Sequence, residues 1–221
     1  MKREPYFKPD TLREKSQEML SALGTYRQRH RAQSLRPSCA ALLVLDMQDY
    51  FLQSDSHAYI PSASAIVPVI RSLINIFQKK NRPVIFTRQV NTSQDADMMG
   101  KWWKGLLSPD STQSEITLEL NLTNGVVLNK TQYDAFWKTA LDEILRSMNV
   151  EQVVITGVMT HLCCETTARS AFMRGYEVFF TADGTATYTE AHHCAALLNL
   201  AHGFALPVLA KEVLDGFDET N

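Results

Sequence analysis

The sequence predicts an α/β protein: a single three-layer α/β/α domain on a six-stranded parallel sheet. Three observations point there. Six short apolar runs recur along the chain. Segments with helical apolar spacing separate them, so the pattern alternates strand and helix rather than grouping like with like. The runs are continuously apolar rather than alternating, which fits strands covered on both faces.

The elements follow in order. Residues 11–31 lack proline and mix apolar with charged groups, predicting an amphipathic helix. A linker at 34–38 contains Pro37. Residues 40–45 (AALLVL) are the first strand and end at Asp46. A helix is expected over 62–80, a strand over 83–87 (PVIFT), and a helix over 94–107 that carries Trp102 and Trp103. The third strand is 125–128 (GVVL), followed by Lys130 and a helix over 133–148. Residues 153–156 (VVIT) form a strand, then Gly157, then a helix over 162–174 with Gly175 as its stop. A strand at 177–181, a helix at 189–202 and a strand at 207–209 complete the pattern. Residues 1–38 are expected to form a helical arm and linker, and 39–221 the domain.

Composition narrows the function classes. Of 221 residues, 45% are hydrophobic and 21% charged, which excludes a disordered or coiled-coil chain. The formal net charge of -2 offers no basic footprint for nucleic acid. No apolar run approaches the roughly 20 residues that span a bilayer, and the charged N-terminus lacks the apolar core of a secretory signal. The expectation is a cytoplasmic protein acting on a small molecule, with neither nucleic acid nor membrane as partner. Four cysteines include the adjacent pair Cys163 and Cys164 but no CxxC spacing, so neither a zinc ribbon nor a redox motif is indicated. Cys164 is expected as a buried helix residue.

Ligands of open parallel sheets bind beyond the carboxyl ends of the strands. The strand assignments place Asp46, Lys130 and Cys163 there. Each has an ordinary structural role open to it: a turn cap for Asp46, a solvated loop residue for Lys130, a small buried hydrophobe for Cys163. Together they suit thiol chemistry. A helix N-terminus and a nearby cation would acidify the thiol, and a carboxylate could move its proton.

These residues resemble the isochorismatase-like cysteine hydrolases, a family that includes nicotinamidases, N-carbamoylsarcosine amidase and isochorismatase. The resemblance rests on DMQ at 46–48, on Lys130 followed by Tyr133, Ala135 and Phe136, and on GVMTHLCCETTARSAF at 157–172. It implies a Rossmann-like sheet of order 3-2-1-4-5-6 and a catalytic triad of Asp46, Lys130 and Cys163. It also implies a cis peptide between Val158 and Met159, and an oxyanion hole built from the amides of Met159 and Cys163. The reaction implied is cleavage of a small amide, ureide or carbamoyl C–N bond through a thioester, without a cofactor. Family members commonly assemble as homo-oligomers, which implies a dimer or tetramer here; the helix at 11–31 lies outside the resemblance and is expected to pack on its own subunit or on a neighbour.

Two departures matter. The metal-binding Asp-x-His segment of nicotinamidases is replaced by residues 51–53 (FLQ) and 87–89 (TRQ), so no metal is expected. The TRQ segment is nearer the TAQ of isochorismatases, which leaves vinyl-ether hydrolysis with Asp46 as acid as an alternative, and a non-catalytic binding protein as a third. Phe51, Gln89, Trp102, Trp103, Tyr133 and His161 are expected around the pocket. A dinucleotide-binding reading fails for want of glycine after the first strand.

Overall fold

Every residue of Ala40–Leu45 is buried, which requires helices on both faces of the sheet. This strand is β1. The computed structural model describes residues 2–30, 32–103 and 105–218. It pairs β1 with β2 (Val84–Gln89) on one side and with β4 (Gln152–Val158) on the other. Outward from these lie β3 (Val126–Lys130), then β5 (Glu177–Ala186) and β6 (Leu206–Val208). The order is β3-β2-β1-β4-β5-β6 and all pairs are parallel. The direction of winding therefore reverses between β1 and β4, and a crevice opens above their carboxyl ends.

In chain order the helices are α1 (Leu12–Ala22), α2 (Gly24–Arg29), α3 (Asp49–Leu52), α4 (Ala63–Lys79), α5 (Met98–Trp102), α6 (Leu141–Ser147), α7 (Glu165–Met173), α8 (Glu190–Gly203) and α9 (Ala210–Asp218). The apolar stripe of α4 (Ile66, Ile70, Leu73, Phe77) packs on β1, β4 and β5 beside α9, whose Phe217 meets Phe77 edge-on. The Thr189 hydroxyl accepts the His192 amide and so caps α8.

All six strands fall where the apolar runs predict, with ends shifted by a few residues. The helices differ more. The single helix expected over 11–31 divides at Leu23, and its residue 31 lies outside the described residues, as do 1 and 219–221 at the ends of the two expected units. Among the described residues of 94–107 only Met98–Trp102 is helical, and residue 104 of that expected helix lies outside them. The helix expected from Tyr133 starts at Leu141, because earlier backbone groups bond elsewhere. The Ala135 amide donates to Thr167 Oγ1, the Phe136 amide to Asp134, and Lys138 adopts a positive φ of 52°. α9 was not anticipated.

The N-terminal arm packs on its own chain. Tyr6, Phe7, Leu12, Met19, Leu20 and Leu23 are buried in the same apolar cluster as the sheet.

Candidate active site

Asp46 follows β1 with φ 52°, a left-handed conformation in which Asp is among the tolerated residues. Its partner Thr87, on the adjacent β2, clamps it twice. The Thr87 hydroxyl donates to Asp46 Oδ1 at 2.6 Å and accepts the Asp46 amide at 3.1 Å. On the other flank Gly157, with φ 110°, lies against Leu45. A β-carbon at that position would stand 2.0 Å from the Leu45 carbonyl oxygen, so only glycine lets β4 approach the strand that ends in Asp46.

Lys130 ends β3, opposite Gln89 in register. Its side chain is fully buried. The ammonium lies 2.8 Å from Asp46 Oδ2, 2.7 Å from Gln89 Oε1, 3.0 Å from the Gln132 carbonyl and 3.3 Å from Cys163 Sγ. Burial acts to lower its pKa, but Asp46 and Cys163 more than offset this and hold the amine charged.

Cys163 arrives from the other side, on a π-helical turn (Thr160–Cys164) between β4 and α7. Such turns often mark functional positions. The peptide between Val158 and Met159, just before the turn, is cis. The thiol is not acidified, contrary to the expectation from a helix N-terminus. Burial pushes Cys163 up to about 12, with Asp46 adding to the rise and Lys130 opposing it. At rest the sulfur is therefore a neutral thiol beside an ion pair. Cys164 is fully buried and points away, its sulfur 4.0 Å from the Thr156 carbonyl.

Of these groups Cys163 and Gln89 line a cleft of about 680 Å³, counting its open mouth, and Asp46 and Lys130 lie buried behind them. Phe51, Gln89, Trp103 and Tyr133 line it as expected, with Met159 beside Cys163. The Trp103 indole donates to the Tyr133 hydroxyl at 2.7 Å, tying the loop after β2 to the loop after β3. Trp102 does not line the cleft and is 73% exposed, because consecutive residues cannot both face inward. His161 also lies outside the lining. Its Nδ1 is 2.7 Å from Thr187 Oγ1 and its ring stacks on His192 at 4.4 Å.

The sequence reading missed Asn91, Tyr188 and His57 as cleft residues. Asn91 had a usable signal, two residues beyond the end of β2, where its amide joins Gln89 to Thr131. Tyr188 and His57 lie in loops with no pattern to select them.

Among the described residues no group of three or more His, Cys, Asp or Glu side chains could hold a metal ion. In the cleft His57 stands without a neighbouring carboxylate in the lining, so this donor set does not fit the metal site of nicotinamidases.

A buried acid, amine and thiol at the switch point of a doubly wound sheet define a class of α/β enzymes with a preorganised polar centre under an apolar cleft. The chain belongs to the isochorismatase family of hydrolases: the isochorismatase domain matches residues 40–212. Nicotinamidase 3 of Arabidopsis thaliana is 43% identical over 171 residues, covering 75% of this chain and 82% of that protein. Enterobactin synthase component B of Escherichia coli K12 is 32% identical over 184 residues, covering 82% of this chain but 64% of that longer protein. The fold matches a solved cysteine hydrolase of Pseudomonas syringae pv. phaseolicola with TM-score 0.79 at 24% identity, covering 86% of this chain and 97% of that one.

Proposed function

We propose that the protein hydrolyses the C–N bond of a small amide, ureide or carbamoyl compound through a thioester on Cys163. The observation that carries this reading is the Lys130 ammonium held between Asp46 Oδ2 at 2.8 Å and Cys163 Sγ at 3.3 Å, with Cys163 lining the cleft. Asp46 takes the thiol proton as sulfur attacks the substrate carbonyl, and Lys130 stabilises the thiolate that forms. A thiol that is neutral at rest needs such a base, because few molecules would ionise unaided near neutral pH. The amides of Met159 and Cys163 receive the negative oxygen of the tetrahedral adduct. As the C–N bond breaks, Asp46 passes its proton to the departing nitrogen. Water then gives a proton to Asp46 and its oxygen to the acyl carbon, and the sulfur leaves and recovers the proton. Phe51, Trp103 and Tyr133 offer flat apolar walls to the substrate, and Gln89 a polar edge. A cytoplasmic homo-oligomer, dimer or tetramer, completes the reading.

The test is a panel of nicotinamide, N-carbamoyl amino acids and linear ureides, assayed for ammonia or amine release. The reading expects turnover of one class, an acyl adduct on Cys163 in acid-quenched mass spectra, and loss of both in Cys163→Ala. Turnover that persists in Cys163→Ala overturns the thioester route, and cleavage of isochorismate that persists in Cys163→Ala but vanishes in Asp46→Asn favours acid-catalysed vinyl-ether cleavage in its place.

A further inference from the structure

The isochorismatase match begins at residue 40, yet the chain before it reaches the site. Arg3 and Glu4 make three contacts with two residues that line the cleft. Arg3 donates to the His57 carbonyl and its guanidinium lies over the Tyr188 ring, 5.1 Å from the centroid. The Glu4 amide donates to the Tyr188 carbonyl at 2.8 Å. His57 and Tyr188 both line the cleft.

Tyr6 goes deeper. Its hydroxyl accepts the Thr187 amide at 3.0 Å and lies 3.1 Å from Nδ1 of the fully buried His193. The same Nδ1 lies 3.1 Å from Thr160 Oγ1. Thr187 in turn holds His161 through its hydroxyl. Thr160 and His161 open the π-helical turn that carries Cys163. One phenol therefore joins both, by two routes. The strap is itself fixed by Ser62, whose hydroxyl accepts the Phe7 amide and donates to the Glu4 carbonyl.

We infer that Tyr6 is a positioning residue: the N-terminal strap sets the placement of Cys163 by holding Thr160 through His193 and His161 through Thr187. The inference rests on the proposed role of Cys163 as nucleophile. Loss of the phenol frees the start of the turn, and the sulfur then departs from its place beside Lys130. Reactivity should fall without any change at the reacting groups themselves.

The test uses the full chain and iodoacetamide at fixed pH, with alkylation of each cysteine followed by peptide mass spectrometry. In Tyr6→Phe the ring and its packing stay and only the hydroxyl goes. Cys163 should alkylate roughly three- to tenfold more slowly, the scale of one lost buried hydrogen bond. Cys164 reports on folding, since it is fully buried and becomes reactive only when the core opens. Thr160→Val cuts the same path at its other end, so the double variant should be little slower than either single one. An unchanged or faster Cys163 in Tyr6→Phe overturns the inference, as do additive effects in the double variant. Exposure of Cys164 in Tyr6→Phe would show a general loosening and also overturn it. Substrate turnover by Cys163→Ala equal to the parent's removes the nucleophile reading, and this inference with it.

Discussion

At the scale of single residues, Asp46 and Lys130 are each tolerable only because the other is there. A buried ion pair contributes little net stability, but removing one partner strands a charge in the core. Lys130→Met should therefore destabilise the protein by about 3 kcal/mol. The left-handed backbone at Asp46 makes Asn the fitting probe of its charge, whereas Ala would add conformational strain. Asp46→Asn combined with Lys130→Met should recover much of the loss of Lys130→Met alone, because no unpaired charge remains. Urea unfolding of the two single variants and the double variant measures this. Additive losses would mean that the pair is not coupled in the folded state. Activity should be lost in all three, so stability and catalysis separate at this pair.

At the scale of elements, two glycines with positive φ differ in what surrounds them. At Gly157 a β-carbon meets the backbone of Leu45 at 2.0 to 2.8 Å, whereas at Gly175 nothing lies within 4 Å. Gly175→Ala should cost about 1 to 2 kcal/mol, the strain of the left-handed backbone. Gly157→Ala should exceed about 4 kcal/mol, because β1 and β4 must part. Soluble yield and urea midpoints of the two variants distinguish these outcomes, and equal losses would remove the steric argument. The same contrast explains what was legible beforehand. Strands such as Ala40–Leu45 are buried on every residue, so their apolar runs stand out from the sequence. The placement of Asp46, Lys130 and Cys163 at strand ends followed from those runs. The helix expected from Tyr133 did not form there, because the Ala135 amide is taken by Thr167, a tertiary contact that local periodicity does not encode. Trp103 and Trp102 were equivalent as sequence, and only the turn after α5 decides which one faces the cleft. Tyr6 was illegible for a similar reason: its partners, Thr187 and His193, lie far along the chain.

At the scale of the whole molecule, buried titratable groups set the response to acid. Burial depresses His193 to about 3, and burial with the neighbouring His192 depresses His161 to about 4. Both lie below the ordinary value of 6.5, so unfolding takes up protons as the pH falls below that value. Their stabilisation is complete above about pH 6.5 and is lost as the pH drops toward the folded values. Asp183 runs the other way. Burial raises it to about 6 from an ordinary 3.8, partly offset by the Ala210 amide that donates to it at 2.7 Å. Its contribution is most favourable below about pH 3.9 and is lost as the pH rises through about 6. Near pH 5 two histidines oppose one aspartate, and stability should rise with pH. Each fully shifted group changes the slope there by about 1.4 kcal/mol per pH unit. His193→Gln should flatten the curve by close to that amount, whereas Asp183→Asn should steepen it. Comparing slopes from urea unfolding between about pH 4.5 and 6 makes the test independent of whatever constant stability each variant loses. An unchanged slope in His193→Gln would mean that the imidazole is already charged in the folded protein. A positive charge would then sit between the hydroxyls of Tyr6 and Thr160.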